Sequence, residues 1–278
     1  MSRDRDGPLL FHIFRGILMK KDIMHDSDNR TDIRINKFLS DAGICSRREA
    51  DRLISGGHVL IDGVEALPGQ RVAAGQQVSC NGRNVVRNDK MVLIAFNKPR
   101  GIVCTTERRR GTQNIVDYVD YPSRIYPIGR LDKDSEGLIL MTNDGGLVNR
   151  IMKASMMHEK EYTVRVNKPL TDEFIRDMGS GVPILDTVTR PCSLKRLDEF
   201  TFSIILTQGL NRQIRRMCQH FDYKVVSLQR TRIMNIRLGH LKSGQWRNVT
   251  RAEIDGLRDC FELDDNEADR QEETDYEQ

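Results

Sequence analysis

Two carboxylates and two cations, Asp132 and Asp134 with Arg130 and Lys133, crowd into the stretch Gly129-Arg130-Leu131-Asp132-Lys133-Asp134-Ser135-Glu136-Gly137-Leu138. An aspartate held ionised by a neighbouring guanidinium is an available nucleophile or base. The bland alternative, a solvated surface ion pair, is common for any Asp-Lys-Asp. What raises the stretch above that alternative is its setting. It follows Tyr126-Pro127-Ile128 and runs into Leu138-Ile139-Leu140-Met141, which reads as a buried strand closed by the turn formers Thr142-Asn143-Asp144-Gly145-Gly146. The charged residues therefore belong to a loop gripped between framework segments, where binding and catalytic groups concentrate.

The elements around that loop are legible. Met91–Phe96 reads as a strand followed by the turn Asn97-Lys98-Pro99-Arg100-Gly101. Thr105–Thr112, with three arginines at 108–110, reads as a basic loop, and Gly146–Met152 as an amphipathic helix with Leu147, Val148 and Ile151 inward. His158–Val166 alternates as a strand carrying Tyr162, a position that on spacing alone is more often plain core. Thr171 caps a helix ending near Met178, and a sheet-rich stretch runs from Gly181 to Leu206. Gly209-Leu210-Asn211-Arg212-Gln213-Ile214-Arg215-Arg216-Met217 then leaves a strand and opens a helix. His220 is expected to cap or pack, and Trp246 to anchor the core or an edge.

Upstream, Ile35, Phe38 and Leu39 share a helical face ended by Gly43. Ser46 and Glu49 form a capping box for a second helix, whose Ala50, Leu53 and Ile54 turn inward and whose Arg47, Arg48 and Arg52 stay outside. Short strands follow within 59–63 and 72–82.

The chain has 278 residues, 30% of them charged and 6% aromatic, which fits a folded, soluble protein of two modest domains. Residues 262–278 hold nine of the 40 acidic residues and one of the 44 basic ones, so residues 1–261 carry a net charge of +12. A basic body points to a polyanionic partner. Six scattered cysteines without a Cys-x-x-Cys pattern suit free thiols in a reducing compartment, with neither a zinc site nor a disulfide framework. Residues 1–32 include an apolar stretch too short and too charged to span a bilayer. They are expected to be disordered or to reflect the choice of start site, since Met19 and Met24 are alternative starts. The acidic tail, 264–278, has too little apolar content to fold and is expected to be disordered.

Gly-Arg-Leu-Asp followed by Gly-Leu resembles the catalytic motif of the RNA pseudouridine synthases, in the RsuA/RluF type that modifies bacterial ribosomal RNA. Three further stretches agree in order: Asn97-Lys98-Pro99-x-Gly101, Lys160-x-Tyr162, and Gly209–Met217. The run Gly43-Ile44-Cys45-Ser46-Arg47-Arg48-Glu49-Ala50 is similar to the signature of the S4 RNA-binding domain. The Gly209–Met217 motif and Arg230–Asn235 look most like the members acting on the large-subunit (23S) RNA.

The resemblance covers 33–263 and implies an α+β fold: a catalytic domain (91–263) with a mixed, mainly antiparallel sheet, a linker (83–90), and a small S4-like α/β domain (33–82). It implies Asp132 as the essential catalytic residue, Tyr162 stacked on the target base, and Arg215 paired with Asp132. It further implies substrate contacts from Ile214, Arg212, Arg216, Asn97 and Lys98, and Arg130 filling the gap left by a flipped uridine. In the S4 domain Arg47, Arg48 and Arg52 would contact phosphates. No metal or organic cofactor is expected. The partner implied is ribosomal RNA, with no membrane, for a cytoplasmic monomer. The acidic tail departs from the basic one expected of the group. Two rival classes are a binding-only ribosome-assembly factor, opposed by the joint presence of Asp132, Tyr162 and Arg215, and a DNA-binding protein, for which no recognition-helix motif is present.

Overall fold

Contacts divide the chain into two units, Met1–Asn88 and Asp89–Gln278. The computed structural model describes residues 32–87, 90–107, 110–153 and 157–276, with 264–276 as backbone alone. The readings placed on the N-terminal extension up to residue 31, and on Arg108 and Arg109, fall outside the described residues.

The first unit contains β1 (Ile33–Arg34), α1 (Ile35–Asp41), α2 (Arg47–Ser55), β2 (Val59–Ile61), β3 (Val64–Glu65), β4 (Arg71–Val72), β5 (Val78–Cys80) and β6 (Arg83–Val85). Helix α2 begins where expected because Ser46 Oγ accepts the Glu49 N–H at 3.2 Å, a cap worth about 1 kcal/mol. Ile35 and Leu39 of α1 and Ala50 and Ile54 of α2 close over Val59, Ile61, Val72 and Val78. Arg47, Arg48 and Arg52 lie outside, Arg52 bonded to Glu49 at 2.9 Å. One boundary differs from expectation. Residues 83–85, read as linker, form β6 at the edge of an antiparallel sheet ordered β3-β2-β5-β6. Asn81 and Gly82 both have positive φ (50° and 74°), the two-residue turn that reverses a hairpin, and it folds Val85 back into the core.

The second unit is built on one sheet. Its elements are β7 (Leu93–Lys98), α3 (Ile115–Val119), β8 (Tyr126–Ile128), β9 (Glu136–Thr142), α4 (Gly145–Met152), β10 (Lys160–Val166), α5 (Asp172–Gly179), the hairpin β11 (Pro183–Ile184) and β12 (Thr187–Val188), β13 (Ser193–Arg196), β14 (Thr201–Leu206), α6 (Gln213–His220), β15 (Val225–Ile233), β16 (Ile236–Arg237), β17 (Trp246–Asn248) and α7 (Arg251–Tyr276). The order across the sheet is β13-β14-β10-β15-β9-β7-β17, with β8 beside β9 and β16 beside β15. All its pairings are antiparallel except β9 with β15, so the sheet is mixed and mainly antiparallel. Thr171 caps its helix as expected, its Oγ1 accepting the Phe174 N–H at 3.0 Å, and Asp144, read only as a turn former, also caps, its Oδ1 accepting the Gly146 N–H at 2.8 Å. Trp246 is an edge anchor, its ring against Tyr121 on β17, and His220 packs edge-on against Phe221.

The tail also differs from expectation. The backbone of α7 stays helical through Tyr276, started by a reciprocal box in which Thr250 Oγ1 accepts the Glu253 N–H and Glu253 Oε2 the Thr250 N–H. Leu257 and Phe261 seat its first turns in the core. Glu, Ala, Arg and Gln beyond them are adequate helix formers, which a count of apolar residues overlooks.

Two cores flank the sheet. Phe174, Met178, Phe202, Ile204, Met217 and Leu228 belong to one, and Phe96, Ile115, Ile125, Leu131, Ile139 and Met141 to the other. Tyr162 touches both. They are joined where β9 and β15 run parallel, pairing Gly137 with Arg230. Gly137 has φ +104°, and a Cβ there would lie 2.6 Å from the Arg230 nitrogen. Gly137→Ala is therefore expected to cost about 3 kcal/mol through backbone strain and overpacking, read as a lowered urea midpoint with an unchanged m-value.

Candidate active site

The loop between β8 and β9 is tied down from several sides. Leu131 is buried and its N–H reaches Cys104 Sγ at 3.4 Å. The Ser135 N–H closes a turn on the Asp132 carbonyl at 3.1 Å, and the Gly101 N–H reaches the Lys133 carbonyl at 2.7 Å. From beneath, Lys98 Nζ donates to the carbonyls of Ser135 and Pro99, both at 2.8 Å. Burial pulls the Lys98 pKa below the usual lysine range, while the negative groups of Asp132, Asp134 and Glu136 work against that shift. With its neighbours fixed, the Asp132 carboxylate is left facing the cleft, about 34% exposed.

Arginines from the start of α6 lock the loop's second carboxylate. Arg212 holds Asp134 with two parallel bonds, Nη1 to Oδ1 and Nη2 to Oδ2, each 3.2 Å. Arg215 Nη2 donates to the Asp134 carbonyl at 3.0 Å and Ser135 Oγ at 3.2 Å, and lies 3.4 Å from Asp134 Oδ2. Burial works to raise the Asp134 carboxyl, but the Arg212 hydrogen bonds and the two guanidinium charges outweigh it and hold it below the ordinary range. The pairing implied by resemblance is thereby corrected. Arg215 is ion-paired to Asp134, and among the described residues the arginine within ion-pair distance of Asp132 is Arg212, whose Nη1 is 3.6 Å from Oδ2. Arg212 itself has a left-handed backbone (φ 50°, ψ 35°), a conformation that non-glycine residues keep where the surroundings enforce it.

A cleft of about 1050 Å³ opens above this loop, lined among others by Arg130, Asp132, Tyr162, Arg212, Ile214 and Arg215. Thus six of the expected site residues converge. Three do not. Asn97 and Lys98 are the last residues of β7 rather than a turn, buried at 5% and 0% exposure. Asn97 Nδ2 is spent on the Leu241 carbonyl and Lys98 on the loop carbonyls, so both support the loop and neither lines the cleft. Arg216 turns back onto Asn211, its Nε 3.0 Å from the carbonyl, outside the cleft lining.

The structure adds residues that the sequence reading did not count among the site residues, although Lys160 and Arg230 stand in its family-like stretches. Lys160 and Arg230 line the cleft, as do Gln208 and Gln213. Burial, then the Arg230 charge, brings Lys160 down to about 8, so at neutral pH it is still mostly cationic. Among the described residues, the buried side-chain nitrogens without a partner are Gln208 Nε2, Gln213 Nε2, Arg215 Nε, Arg230 Nη2 and Arg258 Nε. The first four belong to cleft residues and all are donors, a lining suited to an acceptor-rich or anionic ligand. Among the described residues, no group of three His, Cys, Asp or Glu side chains is placed to hold a metal ion, and no helix is long and apolar enough to cross a membrane. Lys98→Met keeps the packing but leaves the two loop carbonyls without their donor. It is expected to cost roughly 2 kcal/mol, read as a lowered urea midpoint.

A family model described as RNA pseudouridylate synthase matches residues 92–220, and the S4 domain model matches 33–78. Over 235 residues the chain is 56% identical to the dual-specificity RNA pseudouridine synthase RluF of Salmonella typhi, covering 84% of this chain and 80% of that protein. It is 34% identical over 233 residues to ribosomal large subunit pseudouridine synthase B of Bacillus subtilis, covering 81% and 95%. A crystal structure described as a pseudouridylate synthase superposes with a TM-score of 0.60 at 26% identity, covering 81% of this chain and 99% of that one. Asp132, Tyr162 and Arg215 all fall inside the matched catalytic segment, within a cleft of donors that fits such chemistry. The chain belongs to the RNA pseudouridine synthases and carries an S4 domain before its catalytic unit.

Proposed function

We propose that this enzyme converts uridine to pseudouridine in the 23S RNA of the large ribosomal subunit. It does so as a cytoplasmic monomer, at more than one RNA site. The ribosomal substrate follows the name of the Bacillus relative, and the plural follows the dual specificity in the name of the Salmonella one. The observation that carries the reading is the placement of Asp132 at the cleft, on a loop held by Lys98, Arg212 and Arg215.

The reaction breaks the N1–C1′ bond, turns the uracil and rejoins it through C5. One proton is lost from C5 and one gained at N1, so the product is an isomer and no redox step occurs. The target base must leave its helix to be reached, and Arg130 at the exposed rim of the cleft is placed to fill the space it vacates. Tyr162 presents a ring for stacking, and Ile214 an apolar wall. Asp132 acts at the ribose or the base, as nucleophile or as base. Arg215 acts on it through Asp134 and Ser135, fixing the loop. Arg212, bidentate to Asp134, is also close enough to bias the Asp132 carboxylate. The exposed Arg47, Arg48 and Arg52 of the S4 unit grip phosphates.

Asp132→Asn is expected to lower turnover roughly 10³-fold or more while filter binding shows unchanged RNA affinity; full activity would contradict the assignment. Changing Arg47, Arg48 and Arg52 together to Ala should flatten the log–log salt dependence of RNA binding by roughly 2 to 3, with the rate at saturating RNA preserved.

A further inference from the structure

We infer that Lys160 and Arg230, one half-buried and the other buried, form a cationic subsite in the catalytic cleft that holds the uracil anion while its glycosidic bond is broken. This rests on the pseudouridine synthase reading and gives that site a place for the departing charge.

The placement is fixed by the sheet. Strands β10 and β15 are neighbours, and Tyr162 stands opposite Arg230 in their register. Lys160, two residues before Tyr162, shares its face of the strand. All three line the cleft. Arg230 is 4% exposed; its Nε donates to the Leu138 carbonyl at 2.7 Å, and its Nη2 has no partner. Lys160 Nζ donates to the His158 carbonyl at 2.9 Å. The charged group acting on Lys160 is Arg230, another cation, and among the described residues neither is ion-paired to a carboxylate, Glu159 and Glu161 being taken by Arg232. Arg232, two positions along the same strand, is bonded to both Glu159 and Glu161. The contrast is informative, because two desolvated like charges without a counter-ion oppose folding. Such an arrangement is characteristic of sites that receive an anion.

Depth selects which anion. RNA phosphates run along the surface and meet the exposed rim at Arg130. A side chain as enclosed as Arg230 is reached by a group inserted into the cleft, and the flipped base is that group. The orphan donors Gln208 Nε2 and Gln213 Nε2 lie in the same lining, where uracil offers O2 and O4 as acceptors. When N1–C1′ breaks, its electron pair stays on N1 and the base carries one negative charge shared with O2 and O4. C1′ is left one pair short until Asp132 bonds to it or the sugar loses a proton. When C5 donates an electron pair to C1′, displacing Asp132 or with the sugar regaining its proton, the base is neutral again; loss of the C5 proton and gain of one at N1 then complete the isomer without changing its charge. The charge exists only between these steps, so the cations bind what develops rather than the substrate, which raises rate rather than affinity.

The test uses two forms of one ribosomal RNA fragment that the wild-type protein modifies, carrying uridine or 5-fluorouridine at the target. Fluorine makes the departing base a more stable anion. Lys160→Met should slow single-turnover bond cleavage about a hundredfold on the uridine RNA, with unchanged Kd, and much less on the fluorinated RNA. Arg230→Lys should do the same more mildly. An equal loss on both RNAs, or a raised Kd with an unchanged rate as for a phosphate grip, would overturn the subsite. Because Arg230 also holds the Leu138 carbonyl, Lys160→Met, with a native urea midpoint, decides the question alone. If no ribosomal RNA fragment yields pseudouridine with the wild-type protein, the underlying reading is overturned, and the subsite with it.

Discussion

The constraint on which the rest depends is the fixing of one short loop by buried and half-buried cations. Asp134 is held by both oxygens to Arg212 and touched by Arg215, while Lys98 pins the loop's carbonyls from below. These contacts tie the loop after β8 to the end of β7 and to the start of α6, segments distant in sequence. Asp132 makes the least of these contacts, and that is its use: the surroundings hold its backbone while its carboxylate faces the cleft. A bidentate arginine contributes geometry as well as energy, so rigidity is placed beside Asp132 without engaging it.

The sheet supplies the second requirement, a floor that spans two cores. Tyr162 packs against both, and Gly137 lets β9 lie close enough to β15 for the parallel pairing that joins them. That same pairing sets Arg230 in the cleft opposite Tyr162. Fold and site are therefore coupled at one glycine. The cost of burying Arg230 and Lys160 together is carried by a sheet whose strands are covered by apolar residues on either side.

Much of this was legible in the residues, for identifiable reasons. The Asp132 loop announced itself through glycines and turn formers between apolar runs, and helix starts at Ser46 and Thr171 through residues that cap. What stayed hidden depended on reach and enclosure. Asn97 and Lys98 resemble a turn because Pro99 and Gly101 follow, yet both can remain in the strand because carbonyl acceptors await their side chains. That Arg215 would take Asp134 and leave Asp132 nearer Arg212 depends on how a seven-atom side chain crosses a folded loop, which spacing does not encode. Asn81-Gly82 did carry a hairpin signal, overlooked because the residues after it are polar. Nothing in the letters marks Arg230 as enclosed; residue type alone places an arginine at the surface.

The measurement that tests the central claim most directly is carbodiimide-dependent primer-extension mapping of ribosomal RNA from cells lacking this protein. The account predicts that specific stops in the large-subunit RNA disappear, return with the wild-type chain, and stay absent with Asp132→Asn. An unchanged pattern of stops, or restoration by the Asp132→Asn variant, would contradict it.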